Sequence, residues 1–310
     1  MTETRVFITG PTASGKTNTA LELARMWACP VISADSRQCF RHLDIGTDKP
    51  PPDVLARVKH YNISVLDPDQ DDSSRQFARR VAAWEQEILA NRKPVLIAGG
   101  STLHLQELIF PMDPLPARND DNINHLRMEE STLGLEGLFE RLKEIDPSCA
   151  SSMDGLNRHR IYRALDVWMQ TGKPFSSFHT GKKPLPGRNR FVFALNLPRQ
   201  TLHDRINERV DRMISAGLVD EVRKLIENGY KPSLQSLQSV GYREVVSYLQ
   251  DSCTHDQMVA DIKTGSRRYA RRQLTWLRRW DFVRWIDADD KKPADMAELI
   301  ADTIRRVAAE

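Results

Sequence analysis

Gly10-Pro11-Thr12-Ala13-Ser14-Gly15-Lys16-Thr17 follows the short apolar run Val6-Phe7-Ile8 and precedes a segment whose apolar residues Ala20, Leu21, Leu23, Ala24 and Met26 suit a helix. An octapeptide of this composition at a strand-to-helix junction reads as a P-loop. Its glycines let the backbone turn tightly with N–H groups directed inward, and the helix N-terminus adds partial positive charge. Lys16 reaches the outer phosphates, and the Thr17 hydroxyl can hold a magnesium ion. A polyphosphate or diphosphate is the implied ligand. A glycine turn that merely fits the pattern is the bland alternative, and the two glycines, the lysine and the strand-helix setting weigh against it.

Outward from the loop, Pro30-Val31-Ile32-Ser33-Ala34 reads as a short buried strand with Asp35-Ser36-Arg37-Gln38 at its carboxyl end. Ligand chemistry in parallel α/β sheets collects at that edge. The prolines of Asp44-Ile45-Gly46-Thr47-Asp48-Lys49-Pro50-Pro51-Pro52 predict a loop long enough to cover a site. Asp71, Asp72, Ser73 and Ser74 offer N-caps to a crossover helix carrying Phe77, Val81, Trp84 and Ile88. Val95-Leu96-Ile97-Ala98 and Gly99-Gly100-Ser101-Thr102 then repeat the strand and glycine turn. These units together predict an α/β fold, a doubly wound parallel sheet of P-loop type.

After Pro111, Pro114 and Pro116 the pattern is helical throughout from Asn119 to about Thr171, with Leu135, Leu138, Phe139 and Leu142 on one face and Ile161, Leu165 and Trp168 on another. Gly181 to Gly187 reads as an exit linker before the strand-like Phe191 to Leu197. Residues 113–187 are therefore expected to form a helical insertion domain, with 1–112 and 188–310 as the core. The C-terminal part is predicted mostly helical: Thr201 to Ser215, Leu218 to Asn228, a segment after Gly241, and His255 to about Trp280. A final strand, Phe282 to Ile286, and a helix after Pro293 complete it.

Length and charge bound the answer. A chain of 310 residues suits two domains, or a core with a sizeable insertion. With 45 basic and 42 acidic residues the net charge is only +3, so any nucleic-acid surface must be local. Cys29, Cys39, Cys149 and Cys253 show no metal-ligand spacing and read as reduced thiols. No apolar run approaches a membrane span, and a strand begins within the first residues, so a soluble cytoplasmic protein is expected.

Beyond the P-loop, Asp35 is the acidic side chain that the pattern puts at the same sheet edge. It can hold magnesium through water or accept a proton from an attacking nucleophile, or it can simply cap the next turn. Arg205 and Arg209, four apart, fit either a surface ion-pair face or a diphosphate clamp. Arg267 to Trp280 concentrates arginines and aromatics on what reads as a helix, a surface able to track a phosphate backbone and stack on bases, or else a solvated face. Asn157-Arg158-His159-Arg160 with Arg163 forms a second basic cluster. Two basic patches beside a phosphate site argue for a polyanionic second substrate.

These motifs, with Asp44-Ile45-Gly46-Thr47, Lys49-Pro50, Val240-Gly241-Tyr242-Arg243 and Arg272-Gln273-Leu274-Thr275-Trp276-Leu277-Arg278, resemble the bacterial tRNA dimethylallyltransferase family in order and spacing over nearly the whole chain. The resemblance implies transfer of a dimethylallyl group from dimethylallyl diphosphate to the exocyclic amine of the adenosine 3′-adjacent to the anticodon, releasing diphosphate, with Mg2+ as the ion. It implies Asp35 as base, with Lys16, Thr17, Ser101 and Arg209 as the other catalytic residues. Gly10, Pro11, Thr12, Ala13, Ser14, Gly15, Lys16, Thr17 and Arg209 would hold the diphosphate, and Thr17 the metal.

The tRNA contacts carried over are Asp35, Ser36, Arg37, Gln38 and Ser101, together with His159, Arg160, Ile161, Tyr162 and Arg163. To these are added Gln238, Ser239, Val240, Gly241, Tyr242 and Arg243, and the run Arg271, Arg272, Gln273, Leu274, Thr275, Trp276, Leu277 and Arg278. The enzyme is expected to meet the anticodon stem-loop as a monomer. The chain departs from the family pattern at Ser101, His104, Asp48 and Phe40, where threonine, tyrosine, alanine and tyrosine are usual. A small-molecule kinase, a prenyltransferase of free adenine nucleotides and a non-catalytic RNA-binding protein are the rival readings. The arginine-aromatic segment disfavours the first two, and intact Lys16, Thr17 and Asp35 the third.

Overall fold

The computed structural model describes residues 4–110, 113–178 and 189–309. The chain divides into two compact units, Met1–Leu108 with Pro186–Glu310, and Ile109–Leu185. Pro111 and the exit linker from Gly181 to Gly187 lie outside the described residues.

In the first unit β1 (Arg5–Thr9) leads through the P-loop into α1 (Lys16–Trp27), β2 (Val31–Ser33), α2 (Pro52–Arg57), β3 (His60–Tyr61), α3 (Ser74–Ala90), β4 (Val95–Ala98) and α4 (Thr102–Ile109). The second unit contains α5 (Asp120–Ile145), α6 (Pro147–Ser151) and α7 (Arg158–Thr171). The first unit resumes with β5 (Arg190–Asn196), α8 (Arg199–Ser215), α9 (Leu218–Glu227), α10 (Tyr242–Leu249), α11 (His255–Leu277), β6 (Arg284–Asp287) and α12 (Pro293–Ala309). Every strand pairing among the described residues is parallel, in the order β3-β2-β4-β1-β5-β6. The P-loop α/β sheet with helical parts is thus the observed fold class.

Parallel strands need long crossovers, and α1 connects β1 to β2 and α3 connects β3 to β4, each crossing over one intervening strand of the sheet. Such a sheet is covered on both faces, so its strands must be continuously apolar. Val6, Ile8, Leu96, Phe193 and Leu195 share one buried cluster with α1 and α12. Phe7 and Ile97, pointing the other way by strand alternation, are equally buried, and α3 lies against β4. A second cluster joins Phe40 and Leu43 to α8, α9, α10 and α11 through Val210, Leu218, Val222, Val245 and Ile262. This second cluster seats the loop after β2 on the C-terminal helices.

Several elements differ from the sequence-based expectation, each for a local reason. The proline-rich loop gives way to α2 at Pro52, because proline at the first helical position forfeits no hydrogen bond. β3 spans two residues, too few to show a period. In the insertion, the expected continuous helical stretch breaks where Gly134 adopts φ 71 and ψ 172, and again where Asp146 caps α6 by accepting from the Cys149 N–H. α11 ends at Leu277 rather than Trp280, and β6 begins at Arg284 rather than Phe282.

The insertion has a core of its own, in which Ile123, Leu126, Leu138, Leu142, Ile161 and Leu165 pack together. Leu138 is fully buried there. Leu138→Ala is expected to destabilise this unit by about 2–5 kcal/mol, the range for a buried leucine truncated to alanine. Hydrogen exchange should accelerate in α5 and α7 and remain slow in β1 and β5; equal acceleration in both units would show a shared core.

Candidate active site

The carboxyl edge of the sheet surrounds a cavity of about 350 Å³. Seven segments converge on it: the P-loop, the turn after β2, the loop at Thr47 and Asp48, the Gly99-Gly100 turn after β4, the stretch from Gln238 to Arg243, and the facing sides of α8 and α11. At the P-loop entrance Gly10 has φ +138, and a Cβ there would stand 2.6 Å from the Leu195 carbonyl oxygen, so only glycine lets β1 and β5 run side by side into the turn.

Lys16 and Arg209 bring two cations to this cavity. The Lys16 Nζ donates to the Pro11 carbonyl at 2.6 Å. Burial, and next the neighbouring Arg209 guanidinium, pull the Lys16 ammonium down to about 7, while Asp35 and Asp48 oppose that shift. Arg209 Nη1 donates to Thr12 Oγ1 at 2.6 Å, and its Nε lies 3.5 Å from Asp48 Oδ2. Arg209 is therefore part of the cavity and not of a surface ion-pair face. Anion binding is the natural use of such a pair.

Asp35 does both things its sequence position allowed. Its Oδ1 accepts from the backbone N–H groups of Arg37 at 2.8 Å and Gln38 at 3.3 Å, capping the turn. Its Oδ2 has no hydrogen-bond partner among the described residues, and the side chain lines the cavity. Tyr269, from α11, lines the same cavity, and burial first, then Asp35, holds its phenol protonated well above the usual tyrosine range.

For a divalent ion, the donors at hand are the exposed Thr17 hydroxyl and the carboxylates of Asp35 and Asp48, all hard oxygens. No group of three or more His, Cys, Asp or Glu side chains forms a metal site among the described residues. That sparse oxygen set fits magnesium, which keeps waters and substrate phosphate oxygens in its shell, and does not fit zinc.

The loop from Asp44 to Asp48 is a built wall. Glu221 accepts from the N–H groups of Asp44, Ile45 and Gly46 at 2.9, 2.7 and 3.2 Å, and from the Tyr242 hydroxyl at 2.6 Å. Lys49 Nζ donates to Phe40 O, Asp44 Oδ1 and Ser64 Oγ. Gln38 Nε2 donates to the carbonyls of Thr47 and Asp48, while its Oε1 accepts from Ser33 Oγ. Glu221 carried no signal in the sequence, since the loop it holds lies 175–177 residues away.

Several residues expected to meet RNA are occupied otherwise. Gln38 lines the cavity but commits its amide to the loop anchor just described, and Tyr242 is fully buried behind Gly46. Ile161 and Tyr162 belong to the core of the insertion, where the Tyr162 hydroxyl donates to Glu130. Leu277 is fully buried, and Gln273, though it lines the cavity, bonds its amide to the P-loop and the Gly100 carbonyl. Ser101 is 9% exposed and contributes no lining to the cavity, whose wall here is Gly99 and Gly100. His104 stacks on Phe77 at 4.2 Å between centroids, and burial lowers it to about 4, so it is a neutral core side chain.

The remaining positions do face outward. Ser36, Arg37, Ser239, Val240 and Arg243 line the cavity. On α11 and just beyond it, Arg268, Arg271, Arg272, Arg278 and Arg279 are exposed, as is Thr275, and none of these arginines has an ion-pair partner among the described residues. Arg267 instead turns inward to Asn207 and Thr264. In the insertion, His159 and Arg160 are exposed, whereas Arg163 binds Asp166 and the Pro116 carbonyl.

The IPP transferase family model matches residues 38–280. The chain is 39% identical over 285 residues to the tRNA dimethylallyltransferase of Acetivibrio thermocellus, covering 91% of both chains. It is 36% identical over 290 residues to that of Geobacter sulfurreducens, again covering 91% of both. The crystal structure of the full-length tRNA isopentenylpyrophosphate transferase from Bacillus halodurans superposes with a TM-score of 0.71 at 34% identity, covering 99% of this chain and 98% of that one.

The lowered Lys16 has a measurable consequence. An anion in the cavity would favour protonated Lys16, so binding of inorganic diphosphate at pH 8 should take up a proton through this group. Its contribution to affinity should be complete below about pH 7 and fall as pH rises above it. Calorimetry in buffers of different ionisation enthalpy, with Lys16→Met subtracted to remove the ligand's own titration, checks this. Equal proton uptake by the two proteins would mean that Lys16 is already charged.

Proposed function

Since the chain belongs to the IPP transferase family, we propose that it transfers a dimethylallyl group from dimethylallyl diphosphate to the exocyclic amine of the adenosine 3′-adjacent to the anticodon of tRNA. The observation that carries this reading is one cavity in which Asp35 keeps a carboxylate oxygen without a protein partner while Lys16, Thr17 and Arg209 supply an anion site. An adenine amine is a weak nucleophile because its lone pair is delocalised into the ring. A catalyst must therefore remove its proton and stabilise the departing diphosphate.

In this reading the nitrogen-carbon bond forms as the carbon-oxygen bond to diphosphate breaks. Asp35 Oδ2 receives the proton of the amine, and the turn N–H groups hold the carboxylate in place through Oδ1. Lys16 and Arg209 take the charge of the leaving group, with the P-loop N–H groups around it. Thr17, with either aspartate through water, would hold magnesium, whose charge adds to that stabilisation. The target base must leave its loop stack to reach the cavity. The exposed arginines of α11 and its C-terminal end, which have no ion-pair partner among the described residues, suit the phosphates of an anticodon stem-loop, a feature that a small-molecule kinase or a nucleotide prenyltransferase does not need.

The compartment that fits is the cytoplasm. The four free cysteines are compatible with a reducing environment, and no helix among the described residues is long and apolar enough to cross a membrane. The enzyme would act there as a monomer.

Incubation with labelled dimethylallyl diphosphate and a panel of ATP, AMP and an adenosine-containing anticodon stem-loop should label only the stem-loop. Asp35→Asn keeps an oxygen for the turn and removes the base, so it should remain folded while single-turnover transfer slows by roughly 100-fold or more. A rate within a few-fold of wild type would assign Asp35 to turn capping alone. Replacing Arg271, Arg272 and Arg278 with glutamine should weaken stem-loop binding and reduce the salt slope by roughly 0.7–0.9 per lost phosphate contact. A folded triple variant with the wild-type affinity and slope would leave these arginines as a solvated face.

A further inference from the structure

Gln273 lies on the inner side of α11, 3% exposed, among arginines that face solvent. Its amide is used at both ends. Oε1 accepts from the Thr12 N–H in the P-loop at 2.9 Å, and Nε2 donates to the Gly100 carbonyl in the turn after β4 at 2.7 Å. These partners fix the amide orientation, because a flipped group would face a donor with a donor and an acceptor with an acceptor. Gly100 is shaped to this contact: a Cβ there would stand 2.3 Å from Gln273 Nε2.

Thr12 carries the contact onward, since its Oγ1 accepts from Arg209 Nη1 at 2.6 Å. A continuous chain of hydrogen bonds therefore runs from the Gly99-Gly100 turn through Gln273 and Thr12 to the guanidinium of the anion site. With its N–H committed to Gln273, Thr12 acts toward Arg209 through its hydroxyl.

We propose that Gln273 is a positioning residue that aims Arg209 at the bound diphosphate through Thr12, and that it makes the geometry of the anion site depend on how α11 is seated. The assignment of the anion rests on the function proposed above; the hydrogen-bond chain does not. Removing the amide leaves the Thr12 N–H without its acceptor and lets the threonine rotate, so Arg209 loses its hydrogen-bond partner and keeps only the longer contact to Asp48. The arginines on the outer face keep their own places, so affinity for RNA is unaffected.

The test uses inorganic diphosphate binding by calorimetry, together with KM and kcat for dimethylallyl diphosphate. Gln273→Met keeps length and apolar bulk without either hydrogen bond and should weaken diphosphate binding by roughly tenfold, the usual worth of a buried hydrogen bond left unmade. Stem-loop affinity should not change. If Gln273 acts through Arg209, the double variant with Arg209→Ala should bind diphosphate no more weakly than Arg209→Ala alone.

Gln273→Glu provides a second handle that does not depend on the methionine variant folding. Its ionised carboxylate repels the Gly100 carbonyl, but its protonated form restores a donor, so its diphosphate affinity relative to wild type at the same pH should recover as pH falls. Additive losses in the double variant, or a folded methionine variant that binds diphosphate within twofold of wild type, would overturn the proposal. A wild-type protein that binds diphosphate yet labels no tRNA would instead overturn the proposed function and leave the role of Gln273 standing.

Discussion

Two like charges held beside each other, Lys16 and Arg209, are the constraint around which the active-site end of the molecule is arranged. Their repulsion adds to the burial that already lowers Lys16. Bringing them together has to be offset locally, and the surrounding elements do so. Pro11 turns its carbonyl to the lysine, Thr12 its hydroxyl to the arginine, and Asp48 and Asp35 stand close enough to raise Lys16 again. These groups come from three loops at the carboxyl edge, the P-loop, the turn after β2 and the loop at Asp48, so the site depends on the sheet that brings those loops together.

α11 must satisfy two environments along one length. Met258, Ile262, Ala270 and Leu277 pack inward, while Arg268, Arg271 and Arg272 face out. A helix with a single apolar stripe would meet that requirement by packing alone. Gln273 breaks the stripe with a buried amide, which would cost stability unless both of its ends were bonded. The P-loop and the Gly100 turn bond both ends, so the polar residue in this position ties α11 to both turns instead of weakening the core.

What the sequence made legible was whatever repeats locally. The P-loop, the buried strands and the helices of α3, α8, α9 and α12 follow from period and punctuation within short windows, and α2 and β3 were missed because neither is long enough to show one. Side-chain direction inside a motif was harder to read. Arg272 and Gln273 are adjacent and polar, yet one is exposed and the other buried. Tyr242 and Arg243 divide in the same way. Residue type announces hydrogen-bonding capacity, and only the tertiary fold decides whether RNA, water or a backbone amide uses it.

Glu221 shows why the most distant contacts were unreadable and also why they matter. A carboxylate on α9 that accepts three successive backbone N–H groups fixes the loop it binds more firmly than apolar contact would, because every donor has a defined direction. Tyr242 adds a fourth donor and fills the space against Gly46. Asp48, at φ 53, therefore projects toward Arg209 from a loop already in place. A wall ordered before substrate arrives removes the entropic cost of closing it, so in the proposed transfer more of the binding free energy would remain for stabilising the leaving group. Preorganisation in this protein is thus a property of the C-terminal helices as much as of the P-loop, and it depends on residues that never touch the reacting atoms.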